Sequence, residues 1–324
     1  MDGTLLVRRA VPRRTKGGAT SAIGTRTSDA WRGSEASGQT ARMSTPPLSP
    51  SASHLSPPAP PVPSPQAVDA YLARIGGGRP ERADAMALRE LQLRHLLSVP
   101  FENLSIHLGE PLVLADGPLL EKIVGARRGG FCYELNGAFA ALLRGLGFGV
   151  TLLQARVFGD GGRLGIPYDH LALQVETVDG TGPWLADVGF GDHSHHPLLL
   201  GERGDQADPA GTFRVVGAGD GDLDVLRDGK PQFRLDTRPR ELVDFEAGAW
   251  WHRTSPSSHF TQSLVCSMLT ADGRITLSGR KLVTTVGGKR QERPLGGDDE
   301  VLAAYRKHFG LELEQVPQIR PASR

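Results

Sequence analysis

Cysteine is scarce in this sequence, with two residues, Cys132 and Cys266, among 324. Two cysteines cannot build a disulfide framework or a four-cysteine zinc site. Each thiol is therefore available either for packing or for chemistry.

An excess of charge and long apolar runs are also missing. The chain has 37 Lys and Arg against 36 Asp and Glu, a formal net charge of +1. It therefore has no global basic field to attract nucleic acid or an anionic membrane surface. No apolar stretch approaches the roughly 18 residues that span a bilayer. These absences predict a soluble, cytoplasmic protein with neither nucleic acid nor membrane as a partner.

Residues 1–66 differ in composition from the rest of the chain. They contain 10 of the 24 prolines, 10 serines and eight basic against three acidic residues, with Trp31 as the single aromatic residue. Such a segment cannot bury enough apolar surface to offset an ordering entropy of about 1–2 kcal/mol per residue. We therefore expect a disordered tail. A transit peptide and a translation start at Met43 are the alternatives.

The hydrophobic pattern changes its period along the rest of the chain. Residues 67–149 have helical spacing, which includes an amphipathic helix that begins near Cys132. From residue 150 to about 250 the period is close to two, which is typical of short strands and favours an antiparallel sheet or barrel. Residues 251–324 combine further strands with a helix near the end. The first predicted strands are Val150–Phe158, His170–Thr177 and Trp184–Val188.

The segment around Cys132 carries the strongest chemical signal. Gly129 and Gly130 lead into the cysteine, which opens the predicted helix. A thiol at a helix N-terminus lies near the positive end of the helix dipole, which favours the thiolate. On local context alone, a role for Cys132 as a nucleophile and a role as a small buried hydrophobic residue are equally open.

A histidine and an aspartate in the predicted strands favour the nucleophile. His170 opens one strand, Asp187 lies near the end of the next, and turn residues separate the two. If these strands pair as a hairpin, the Asp187 carboxylate can reach the His170 ring and fix its tautomer. The order Cys, His, Asp, with Cys on a helix and the others on a sheet, is the layout of papain-like thiol enzymes.

Four ordered motifs between about residues 67 and 310 resemble those of the arylamine N-acetyltransferases. The resemblance implies an α+β fold with an N-terminal helical bundle (67–149), an antiparallel β-barrel (150–250) and a C-terminal α/β lid (251–324), with a papain-like Cys-His-Asp arrangement. The motifs are Pro100-Phe101-Glu102-Asn103-Leu104, Arg127-Arg128-Gly129-Gly130-Phe131-Cys132-Tyr133-Glu134, Asp187-Val188-Gly189-Phe190-Gly191 and Ser257-Ser258-His259-Phe260.

The same resemblance implies ping-pong transfer of acetyl from acetyl-CoA to an aromatic amine or hydrazine, without a metal. Cys132 would be the nucleophile, His170 the base and Asp187 the residue that orients the imidazole. Arg128 and Glu134 would be structural, through a buried charge pair that holds the loop. The enzyme would act as a monomer or homodimer. The implied acceptor pocket is lined by Phe101, Val157, Phe190 and Phe260.

The sequence departs from the family pattern at three places, of which the smallest is Ala186, which precedes Asp187 where Val or Gly is common. Asp169 precedes His170, where Thr or Ser is more usual, and could raise the pKa of His170 or weaken contact with the anionic donor. Ala249-Trp250-Trp251-His252 replaces a more usual Asn-Trp-Tyr run. These departures bear on acceptor range and donor affinity.

The run His193-Ser194-His195-His196 could suggest a metal site, but two ligands of a closed tetrahedral set remain unaccounted for. We expect it to be a solvent-exposed loop. Cys266 lies in an apolar strand and is expected to be a core residue.

Three other functions remain open from the sequence. An amide synthase of the same fold would join a carrier-bound acyl chain to an arylamine. A cysteine hydrolase or transglutaminase would share the residue order, and a non-catalytic binding protein would share only the scaffold.

Overall fold

The computed structural model describes residues 62–319, so most of the predicted tail, with Met43, lies outside the described residues. The first helix begins at Pro65, two residues before the expected boundary, because Ser64 caps it and proline fits the first helical position. The α-helices are α1 Pro65–Arg74, α2 Ala85–Ser98, α3 Leu104–Leu108, α4 Asp116–Leu120, α5 Cys132–Gly145, α6 Glu246–Thr254, α7 His259–Gln262 and α8 Asp298–Phe309. Helical turns of other types cover Glu121–Gly125, Asp160–Gly162, Gly219–Gly221 and Leu242–Phe245.

Eight antiparallel strands form a nearly closed barrel. Their spatial order is β5-β4-β3-β2-β9-β8-β7-β6. The Gln206 side chain bridges the two edge strands, because its Oε1 accepts from Leu199 N at 2.7 Å and its Nε2 donates to Leu199 O at 3.0 Å. The strands are β2 Gly149–Val157, β3 His170–Glu176, β4 Trp184–Ala186, β5 Leu198–Leu199, β6 Gln206–Asp208, β7 Gly211–Gly217, β8 Leu223–Arg227 and β9 Lys230–Leu235.

A second antiparallel sheet joins distant parts of the chain. Its order is β1-β10-β11-β12-β13, and β1 comes from the helical region, more than 150 residues before β10. Leu104, just after β1, shares an apolar core with Tyr305 and Phe309 of α8. The strands are β1 Phe101–Glu102, β10 Val265–Thr270, β11 Gly273–Ser278, β12 Lys281–Val286 and β13 Lys289–Pro294.

Strand β3 is buried on both faces. Leu171, Leu173 and Val175 pack in the core that includes α5, while Ala172 lies in the core inside the barrel. Its first residue, His170, is therefore held between the helical region and the barrel, where α5 begins. The structure is thus a mixed helix and sheet fold. Within residues 62–319, no helix is both long enough and apolar enough to cross a membrane.

Candidate active site

Cys132 is the first residue of α5 and is only 4% exposed. Glu134 Oε2 accepts a hydrogen bond from Phe131 N at 3.2 Å, which closes the first turn. Because the first N–H groups of a helix have no intrahelical partner, the thiol lies at the positive end of a 14-residue helix.

His170 and Asp187 are brought together by the predicted hairpin, since β3 and β4 pair antiparallel. His170 Nε2 donates to Asp187 Oδ2 at 2.7 Å, and both residues are 2% exposed. The charge and hydrogen-bonding capacity of His170 also lower the pKa of the Cys132 thiol, so the imidazole lies near the sulfur. With Nε2 engaged by Asp187, Nδ1 is the ring nitrogen left for Cys132. The imidazole therefore acts on the thiol while it is bonded to the carboxylate.

Two buried amide side chains hold Asp187, and the sequence analysis did not identify them. Asn136 Nδ2 donates to Asp187 Oδ1 at 2.8 Å, and Gln92 Oε1 accepts from Asp187 N at 3.3 Å. Gly189 N adds a third bond, to Oδ1, at 2.8 Å. Asn136 lies four residues after Cys132, on the same helix face, a spacing that could have identified it.

Gly189 is required by the close approach of the Asp187 loop to α5. A Cβ atom at this position would lie 2.8 Å from Cys132 Cα and 2.8 Å from Asn136 Nδ2. Real Cβ atoms do not approach so closely. The glycine of the Asp187–Gly191 motif therefore lets the carboxylate come near the thiol.

The protonation of the three groups is coupled. Burial would lower the pKa of His170, but the charge and hydrogen bond of Asp187, together with Cys132, raise it to about 10. Burial raises the pKa of the Cys132 thiol, and the hydrogen bond and charge of His170 offset part of that rise. Burial also acts against the Asp187 anion, yet His170 holds the pKa of this carboxyl below its usual value. The His170 imidazolium is therefore the group that favours the thiolate form of the buried Cys132 against the effect of burial.

Arg128 and Glu134 are both buried and ion-paired, but not with each other, so the expected single pair is wrong. Arg128 binds Glu102 and Glu110, at 2.9 Å each, whereas Glu134 binds Lys122 at 2.6 Å. The reason is geometric: the Glu134 carboxylate turns back to cap its own helix, while Arg128 lies beside β1.

We expect Arg128→Met to destabilise the fold by about 3–5 kcal/mol, because it leaves the fully buried Glu102 carboxylate without its partner. Urea unfolding measures this free energy. The control is Arg79→Met, since Arg79 forms an exposed pair with Asp69 that contributes under about 1 kcal/mol. An equal loss of unfolding free energy in the two variants would contradict a stabilising role for the buried pair of Arg128 and Glu102.

The four predicted pocket residues are all half-buried. Phe101 and Phe260 pack together, with ring centroids 6.0 Å apart. Phe190 stacks edge-on against His170 at 5.2 Å. Val157 ends β2, and its N–H donates to Asp169 Oδ2 at 3.1 Å. Of the four, Phe190 is the one in direct contact with His170.

The loop of histidines is not exposed, so that expectation is wrong. His193, Ser194 and His196 are 5%, 2% and 8% exposed, and His195 is half-buried. The loop turns inward because Asp208 carboxylate oxygens accept from His195 N and His196 N, at 2.9 and 3.1 Å. His193 packs among three aromatic rings, those of Phe190, Phe213 and Phe233, at 5.3, 4.9 and 5.3 Å. Among residues 62–319, no group of three or more His, Cys, Asp or Glu side chains is placed to hold a metal ion.

The free energy of unfolding should decrease in acid because His193 is buried as a neutral ring. Burial lowers its pKa to about 4, and likewise lowers the pKa of His95 to about 3. Below the histidine pKa of about 6.5 in the unfolded chain, the unfolded chain binds protons that the native state does not. Each histidine therefore lowers the free energy of unfolding by up to about 1.4 kcal/mol for each unit by which the pH falls. His193→Phe should reduce this slope between pH 6.5 and 4 in urea titrations. An unchanged slope would contradict the burial of a neutral His193.

Each carboxylate oxygen of Asp169 accepts a hydrogen bond. Its Oδ1 accepts from His252 Nε2 at 3.0 Å, and its Oδ2 accepts from Val157 N. Asp169 and His252, which both belong to departures from the family pattern, therefore meet in one hydrogen-bonded pair.

A comparison with known proteins supports the resemblance. A family model described as N-acetyltransferase matches residues 84–318. The arylamine N-acetyltransferase of Mycolicibacterium smegmatis is 35% identical over 252 residues, which cover 75% of this chain and 91% of that protein. The Escherichia coli (strain K12) enzyme of the same name is 32% identical over 252 residues, covering 76% and 89%.

A solved structure has the same fold. The Mycobacterium marinum arylamine N-acetyltransferase, solved in complex with CoA, has a TM-score of 0.68 and 30% identity, and the match covers 75% of this chain and 92% of that one. Family model, sequence relatives and fold agree over most of the described residues. This chain belongs to the arylamine N-acetyltransferase family of acyltransferases.

Proposed function

We propose that the protein transfers acetyl from acetyl-CoA to an aromatic amine or hydrazine through a thioester on Cys132. The observation that carries the proposal is the imidazole of His170, which is bonded to Asp187 at 2.7 Å and lowers the pKa of the thiol at the start of α5. This papain-like arrangement, between a helical region and a barrel, with the second sheet as a lid, is the site at which we expect both half-reactions. We further propose that the enzyme works in the cytoplasm as a monomer or homodimer.

In the first half-reaction, the Cys132 thiolate attacks the carbonyl carbon of acetyl-CoA. A new carbon–sulfur bond forms, the bond between the acetyl carbon and the CoA sulfur breaks, and the CoA thiolate takes a proton from the His170 imidazolium. Asp187 stabilises the imidazolium beforehand and keeps the ring oriented. Backbone N–H groups near the start of α5 are suitable donors for the oxyanion of the tetrahedral intermediate.

In the second half-reaction, the nitrogen of the acceptor attacks the thioester. His170, now neutral, takes the proton from that nitrogen, the carbon–sulfur bond to Cys132 breaks, and the thiolate-imidazolium pair is restored. The half-buried Phe101, Phe190 and Phe260 offer flat apolar surfaces for an aromatic acceptor, with Val157 beside them. Arg128 and Glu134 take no part in the chemistry, and their ion pairs hold the loop before Cys132.

Steady-state kinetics in which the concentrations of acetyl-CoA and an arylamine are both varied test the proposal. We expect parallel lines in double-reciprocal plots of acetyl-CoA against an arylamine, because a ping-pong enzyme releases CoA before the acceptor reacts. Intersecting lines would contradict the thioester route. Turnover only with a carrier-bound acyl chain would favour the amide synthase, and amide cleavage without CoA would favour a hydrolase.

A further inference from the structure

A second histidine–aspartate pair lies next to the candidate site and is not used by the mechanism above. His252, on α6, donates through Nε2 to Asp169 Oδ1 at 3.0 Å. The side chains of the two residues are 9% and 12% exposed. A buried carboxylate with a hydrogen-bonded histidine is costly to separate, because either group alone would be poorly solvated.

His252 also connects the pair to the segment that carries Phe260. Because Nε2 is the donor to Asp169, Nδ1 accepts from the Ser258 hydroxyl, at 3.3 Å. Ser258 Oγ in turn accepts from Phe260 N at 3.2 Å. The His252 ring packs against Phe260 and Tyr133, with centroids 5.2 and 6.1 Å apart. Hydrogen bonds therefore run continuously from α7 to the start of β3.

The Asp169 end of this chain of bonds lies against the thiol. The carbonyl oxygen of Asp169 is 4.0 Å from Cys132 Sγ, and the next residue along the backbone is His170. Tyr133 OH donates to Tyr168 O at 2.6 Å, which holds the preceding residue. Fixing Asp169 thus fixes the backbone from which the His170 ring reaches Cys132.

The carboxylate of Asp169 also has an electrostatic effect on the thiol. After burial, which is the larger effect, its negative charge contributes to raising the pKa of Cys132, since like charges disfavour a thiolate. The position of Asp169 therefore matters to the thiol as well as to the His170 backbone.

We propose that His252 is a positioning residue that, through Asp169, orients the His170 segment beside the Cys132 thiol. The inference rests on the proposed function, in which Cys132 reacts as a thiolate.

The test is a double-mutant cycle read out by the rate at which iodoacetamide alkylates Cys132 across pH 5–10. Peptide mapping separates Cys132 from the fully buried Cys266. We expect His252→Phe, which keeps an aromatic ring, to slow alkylation at pH 7 about tenfold and to move the pH midpoint upward, the size expected for loss of one charge-assisted hydrogen bond. His252→Gln, whose amide nitrogen can replace Nε2 as a donor, should restore most of the rate.

The cycle is completed in the Asp169→Asn background, where His252→Phe should have little further effect. An equal effect in both backgrounds, no effect in either, or a Gln variant as slow as the Phe variant would overturn the proposal. Circular dichroism checks each fold, and His252→Leu replaces the Phe variant in the cycle if that variant unfolds. Alkylation needs neither acetyl-CoA nor an arylamine, so wild-type protein that is alkylated normally but transfers no acetyl would contradict the proposed function alone.

Discussion

Cys132→Ser is expected to reduce acetyl transfer by more than about 1,000-fold while leaving the fold intact. A serine hydroxyl has a far higher pKa than a thiol, so the His170 imidazolium cannot hold it as an anion. The replacement is nearly isosteric at a position that is 4% exposed. The initial rate with acetyl-CoA and an arylamine measures the loss.

The other cysteine provides the matched control. Cys266 is fully buried in β10 and contacts the core formed with α8, as the sequence predicted. Cys266→Ala should lower the free energy of unfolding but leave the rate per folded molecule close to wild type. Loss of transfer in the Cys266 variant with retention in the Cys132 variant would reverse the assignment of the nucleophile.

Asp187→Asn is expected to lower kcat/KM by about 1,000- to 10,000-fold, because the amide cannot stabilise the His170 imidazolium. Asp187 is the main reason that the pKa of His170 is raised to about 10 against the effect of burial. Without that carboxylate the ring becomes neutral near pH 7, and the buried thiol loses the cation that favours its thiolate. The pH profile of kcat/KM between pH 5 and 9 measures the change.

The same substitution at an exposed ion pair is the control. Asp205 is 59% exposed and pairs with Arg214 on the barrel surface, so Asp205→Asn should leave kcat/KM unchanged. A decrease of less than tenfold in Asp187→Asn would contradict the role of Asp187, provided that circular dichroism shows the native fold.

Loss of the proton from His170 should also lower the free energy of unfolding at alkaline pH. Its native pKa of about 10 is above the unfolded value of about 6.5, so the native state binds the extra proton. This contribution is fully present below pH 6.5 and is lost as the pH rises through 10. The effect is opposite in direction to that of the neutral His193, so stability should be greatest near pH 6.5.

Local signals in the sequence were sufficient for the elements that bear the thiol, the imidazole and the carboxylate. Two glycines before an amphipathic run predicted the start of α5, and period-two alternation with turn residues predicted the pairing of β3 with β4. The hairpin was enough to bring His170 to Asp187. These features depend on neighbours within about 20 residues.

Contacts between distant segments could not be predicted in the same way. Strand β1 is two residues long and pairs with β10, so it leaves no periodic pattern. Strand β13 is exposed throughout, which removes the apolar alternation that identifies a strand. The partner of His252 is 83 residues away, and the burial of the histidine loop depends on Asp208. In each case the deciding contact is tertiary.

The most direct test of the account is incubation with acetyl-CoA in the absence of an acceptor, followed by peptide mass spectrometry. We predict one acetyl group on the peptide that carries Cys132, none on Cys266, and loss of that acetyl group when an arylamine is added. Folded protein that acquires no acetyl group on Cys132, or an adduct that an arylamine does not remove, would contradict transfer through a Cys132 thioester.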